Sequence, residues 1–77
     1  MHPLRLKDGT TIASRDELYA ALGAMTNKTF STHCDEKKND FASWIEHELS
    51  DKFLAASMRR ATNKEEMRKA LFVAMFR

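Results

Sequence analysis

The residues of this chain whose types and spacing could do chemistry lie mostly between positions 33 and 51. His33 and Cys34 are adjacent, and a thiol becomes a nucleophile when a base takes its proton. Neighbours on a helix point about 100° apart, however, and neither a third group to orient the imidazole nor a set of oxyanion donors stands out. The same two residues, with His2, His47, Asp35 and Glu36, supply the candidate metal ligands. A structural zinc site needs four ligands, usually as Cys or His pairs at short spacing, and that pattern is missing. Gly9 and Gly23 are the only glycines, so there is no phosphate-cradling loop. These residues predict no catalytic, cofactor or metal site, and the chain is expected not to be an enzyme. His33 is read instead as packed at a helix end and bonded to backbone or to Asp40.

Asn39 and Asp40 have the polarity to hold a small molecule, but they also suit the cap and first turn of a helix. Trp44 is of a type enriched at binding hot spots, yet Phe41, Trp44, Ile45 and Leu49 fall at i, i+3, i+4 and i+8 and share one helical face. The spacing predicts a core position for Trp44, with Glu46, His47 and Glu48 on the wet side.

The elements that must position these residues can be read in order. Leu4 to Leu6 and Thr11 to Ala13 flank Asp8-Gly9, which predicts a hairpin of two strands of three or four residues, lying on helices through Leu4, Leu6 and Ile12. Ser14 and Glu17 form a capping box, followed by the apolar face Leu18, Ala21, Leu22 and Met25 with Tyr19 at its edge. Gly23 weakens the last turn of that helix. Thr26-Asn27 then breaks it and caps a short successor over 27–33 that carries Phe30, and 33–38 is a polar connection. After the Asn39 helix, Ser50 is expected to cap a helix with Asp51 in its first turn and an inward stripe of Phe53, Leu54, Ser57, Met58 and Ala61. Thr62 to Glu65 repeats the capping box and opens the last helix, whose stripe is Met67, Ala70, Leu71, Ala74 and Met75. Phe72, Val73 and Phe76 make its end apolar nearly all round, so it is either inserted deep among the others or carries a patch for a second chain.

With 77 residues, 43% apolar and 31% charged, the chain has enough core material for one domain spanning 1–77, at a size where a partner can matter to stability. One cysteine makes no internal disulfide and the start lacks a signal-peptide apolar region, so the cytoplasm is the expected location. No apolar run approaches the roughly 20 residues of a membrane span. The net charge of +2 is uneven: residues 1–49 carry six Lys/Arg against eight Asp/Glu, and residues 50–77 carry seven against three. The basic half suggests an alternative class, nucleic-acid binding through Arg59, Arg60, Lys64, Arg68 and Lys69, although the last helix lacks a polar reading face beyond its first two turns.

Glu17-Leu18 ahead of a short helix, Phe30 with His33, the segment Asn39-Asp40-Phe41-Ala42-Ser43-Trp44-Ile45, and Asp51 with Leu54-Ala55 follow one another in a recognisable order. In this the chain resembles a family of short uncharacterised prokaryotic domains (DUF5752-like) that carries a Phe, a His, an NDFAxWI segment and a D…LA segment in that order. The resemblance covers roughly residues 4–75. It implies that Phe30, His33, Asn39, Asp40, Phe41, Trp44 and Asp51 act as one constellation, and it assigns no reaction. The expectation is a mainly α (α+β) fold, a short N-terminal β-hairpin packed on a compact bundle of four to five helices. Its expected role is a non-catalytic interaction module that meets a protein, or a second copy as a homodimer, through Phe72, Val73 and Phe76.

Overall fold

The computed structural model describes residues 2–76. Its N-terminal hairpin pairs β1 (Leu4–Arg5) with β2 (Thr11–Ile12), Leu4 opposite Ile12 and Arg5 opposite Thr11. Gly9 takes φ 95°, the left-handed backbone that the Asp-Gly signal anticipates, and Asp8 accepts from the Thr10 N–H at 2.9 Å. The strands are two residues long, shorter than expected; the Leu6 N–H still reaches across to the Thr10 carbonyl at 2.8 Å, but the donors beyond are drawn elsewhere. The Lys7 N–H goes to the His33 ring and the Ala13 N–H to Glu17 of the following helix.

Five helices follow: α1 (Arg15–Ala24), α2 (Asn27–His33), α3 (Asp40–Glu48), α4 (Lys52–Arg60) and α5 (Lys64–Met75). Each starts at a side-chain oxygen that accepts the amide three residues on, supplied by Ser14, Thr26, Asn39, Asp51 and Asn63. Two of these correct the expected boundaries by one residue. Ser50 is not the cap of α4, because it sits at φ 53° in the turn that leaves α3, and Asp51 caps instead. That left-handed backbone costs a non-glycine residue about 1 kcal/mol. At α5 the cap is Asn63 rather than Thr62. Its third-position acid is Glu66, which accepts from the Thr62 N–H and hydroxyl, both at 2.7 Å.

The one-residue shift at α4 also moves its buried stripe. Leu54, Ala55 and Met58 are buried, whereas Phe53, expected inside, is 78% exposed. Phe53 lies about 150° round the helix from the middle of that stripe, too far to reach the core.

α3 packs on α4, α1 on α5, and α4 on α5, while β2 rests against α1. Between them lies one core to which the hairpin gives Leu6 and Ile12, α1 gives Leu18 and Leu22, α3 gives Phe41 and Ile45, and α5 gives Met67 and Leu71. Phe41 stacks on Phe30 of α2 with ring centroids 5.6 Å apart, and the edge of His33 closes on the same ring. The radius of gyration, 11.0 Å, is near the roughly 11.5 Å expected of a folded chain this long. The fold is thus mainly α with a short antiparallel hairpin, and no helix among the described residues is long and apolar enough to cross a membrane.

Candidate functional site

Five of the seven motif residues, Phe30, His33, Asn39, Asp40 and Phe41, gather at the start of α3, while Trp44 lies farther along that helix and Asp51 beyond its end, and their polar atoms tie the helix to distant parts of the chain. His33, at the end of α2, accepts the Lys7 N–H through Nε2 and bonds Asp40 through Nδ1, both at 3.0 Å. Asn39 caps α3 with its oxygen and donates from Nδ2 to the Met58 carbonyl of α4 at 3.2 Å. Trp44 is buried, and its Nε1 donates to the His2 carbonyl at 2.8 Å. Asp51 caps α4 with one oxygen and takes Arg15 of α1 on the other at 3.0 Å. With Phe30 and Phe41 as the apolar floor, each of these residues has a structural task that accounts for its type.

Cys34 follows at the end of α2, where an isolated bridge to Asn39 closes the connection into a turn. Asp35 organises that turn by accepting from the Lys37 and Lys38 amides, which leaves the polar connection ordered. An open cleft of about 280 Å³ borders Cys34, Lys38 and Arg59. Burial pushes the thiol above its ordinary pKa, and the Asp35 and Asp40 carboxylates push the same way. Together these oppose the thiolate that nucleophilic or metal-binding cysteines need. The neighbouring imidazole has both nitrogens engaged elsewhere. No group of three His, Cys, Asp or Glu among the described residues is placed to hold a metal ion.

A different kind of site lies on the outer face of α5. Phe72, Val73 and Phe76 are 41%, 56% and 74% exposed, and with Phe53 they are the exposed large apolar side chains among the described residues. The helix is therefore not inserted among the others. Met67 and Leu71 fill the core while the opposite side stays open. Phe72 sits between Phe76 (centroids 4.7 Å) and the edge of Tyr19 on α1 (6.2 Å), forming an aromatic row. Beside it a groove of about 120 Å³ runs between α4 and α5, walled by Phe53 and Val73 over Ser57, Ala70 and Ala74. The small side chains on its floor make the groove, and the large ones on its rim make it apolar.

The cations of the basic half are largely committed. Arg59 pairs with Glu46 at 2.7 Å, Lys64 donates to the Met25 carbonyl at 2.7 Å, and Arg60 reaches Ser57 at 3.4 Å. Arg68 lies over the Tyr19 ring, 4.3 Å from its centroid, and donates to the Tyr19 carbonyl. Gly23 makes this possible, since a Cβ there would lie 2.8 Å from the Arg68 guanidinium. Lys69, on the exposed side of α5, borders the aromatic row.

Fold and site together define a small helical domain with a hairpin brace, one structural hub and one exposed apolar face. Comparison with protein-family models, with curated proteins and with solved structures finds no match. Sequence reasoning named Phe72, Val73 and Phe76 as surface and missed that Phe53 and Tyr19 extend it. Centring the α4 stripe on Leu54, Met58 and Ala61 would have put Phe53 outside. Nothing local marks Tyr19, because its neighbours on the face come from α5.

Proposed function

We propose that this chain is a non-catalytic protein-interaction module that pairs with a second copy of itself through the outer face of α5 and Phe53 of α4. The observation that carries this is the exposure of Phe53, Phe72, Val73 and Phe76, with Val73 bordering both the groove that Phe53 walls and the hollow lined by Phe72 and Tyr19. An aromatic side chain has about 150–250 Å² to bury, so these four leave roughly 400–500 Å² of apolar surface in water. That is about half of the roughly 800 Å² each partner contributes to a standard interface, a suitable share for its apolar centre. The face also offers both halves of a contact, exposed rings at Phe72 and Phe76 and a groove lined by Ala70 and Ala74. A two-fold axis across α5 sets the rings of each copy against the groove of the other, and such an interface closes on itself as a dimer. Lys69, at the margin of the aromatic row, supplies a cation at the rim, where charge sets register more than affinity.

The cytoplasm suits this reading, since a single cysteine can form no internal disulfide. Kinship with the DUF5752-like domains fits it too, because the shared segments here serve as structural ties and leave the binding face to other residues. Light scattering across a concentration series tests it. The parent mass is expected to rise toward twice the chain mass and Phe76→Asp to stay monomeric, and a parent that is monomeric throughout would reject the proposal.

A further inference from the structure

The two hydrogen bonds of the His33 ring have opposite sense. A carboxylate only accepts, so the bond to Asp40 requires a proton on Nδ1, and the bond from the Lys7 N–H requires a lone pair on Nε2. Only the neutral Nδ1–H tautomer satisfies both. The ring is 9% exposed and wedged against Phe41, so water does not readily substitute for either partner.

We propose that His33 is a proton-operated latch, which while neutral holds the hairpin turn against the corner between α2 and α3 and on protonation releases it. A second proton goes to Nε2 and sets two N–H donors face to face across 3.0 Å with no acceptor between them. The bond to Asp40 meanwhile becomes charge-assisted and stronger. The ring therefore stays with α3, and the hairpin is the side that gives way. It is built to do so, with two-residue strands and an exposed turn from Lys7 to Thr10.

The other charges around the ring define how the latch is tuned. On the hairpin, the Asp8 carboxylate lies within electrostatic reach of the ring, and Lys7 carries a positive side chain on the exposed turn. From α3, Asp40 favours the charged ring directly. Lys38, 3.5 Å from the same Asp40 oxygen, offsets part of that attraction. Cys34 and Asp35 follow on the chain, the latter adding negative charge to the corner.

The test is NMR on the intact chain from about pH 8 to about pH 5, which spans the histidine range. Long-range proton–nitrogen spectra report the His33 tautomer while hydrogen exchange reports the Lys7 amide. At the upper end Nε2 is expected to carry no proton and the Lys7 amide to be protected. As His33 takes its second proton, Lys7 exchange, corrected for the intrinsic pH dependence, is expected to rise about tenfold or more. The Leu18 amide, inside α1, is expected to change little. His33→Gln takes up no charge, so its Lys7 protection must be flat with pH. The proposal is overturned if Nε2 is protonated at the upper end, if Lys7 protection is constant while the ring titrates, or if His33→Gln keeps the pH dependence.

Discussion

Replacing Asn39 by Ala cuts two bonds that the structure assigns to different atoms of one side chain. The oxygen caps α3 at 2.9 Å from the Ala42 N–H, and loss of an N-cap costs about 1 kcal/mol. The amide nitrogen donates to the Met58 carbonyl at 3.2 Å, and a bond of that kind contributes about 0.5–1.5 kcal/mol. The low end applies, because the Met58 carbonyl also accepts the Ala61 N–H and is not orphaned by the change. Asn39→Ala is therefore expected to lose about 1.5–2 kcal/mol, a large share of the roughly 4–12 kcal/mol of a domain this size. Asn39→Asp keeps an oxygen for the cap and adds a charge suited to the helix N-terminus, losing only the tie to α4. It should lose about half as much. Urea unfolding followed by the fluorescence of Trp44, the single tryptophan, measures both. Equal losses in the two variants, or an Ala variant within about 0.5 kcal/mol of the parent, would refute the two-bond reasoning.

Two further changes probe contacts described above. Gly23→Ala should raise the helix propensity of α1 by up to about 1 kcal/mol while pushing the Arg68 guanidinium off Tyr19, so the parent background shows little net effect. In an Arg68→Ala background the same change should stabilise by about 1 kcal/mol, and thermal melts that show no difference between backgrounds would break the link. The Thr62 N–H, then its hydroxyl, holds Glu66 below the usual carboxylate range, and the Arg59 hydrogen bond does the same for Glu46. The unfolded chain therefore binds more protons as pH falls from the ordinary Glu value, and stability present above about pH 4.5 declines as each lowered folded value is passed. Melting temperatures of the parent and Glu66→Gln on the acid side should diverge less as pH drops, and a constant gap would count against the Glu66 contribution.

The helix starts were legible in the sequence because a cap is a local device. Ser14, Asn39 and the break at Thr26-Asn27 each bond an amide three residues away, and each was read correctly. Asp51 and Asn63 were missed by one residue because Ser50 and Thr62 are equally good cap types. The choice between them rests on the φ of Ser50 and on whether Glu65 or Glu66 points back. The exposed end of α5 was legible as an excess of apolar residues beyond one stripe. What could not be read were bonds between distant positions: Lys7 to His33 across 26 residues, His2 to Trp44 across 42, and Tyr19 to Arg68 across 49. Residue type hints that Trp44 and His33 want partners, but only the fold supplies their identity.

The central claim is that the α5 face is where two copies meet, and sedimentation equilibrium of the parent beside Val73→Glu tests it most directly. Val73 is half exposed and outside the core, so the substitution should leave the melt of the monomer nearly unchanged while placing a charge at the centre of the interface. The account predicts a parent whose mass climbs toward the dimer with concentration and a Val73→Glu variant that remains a monomer. A parent that stays monomeric at every concentration, or a variant that dimerises as well as the parent, contradicts it.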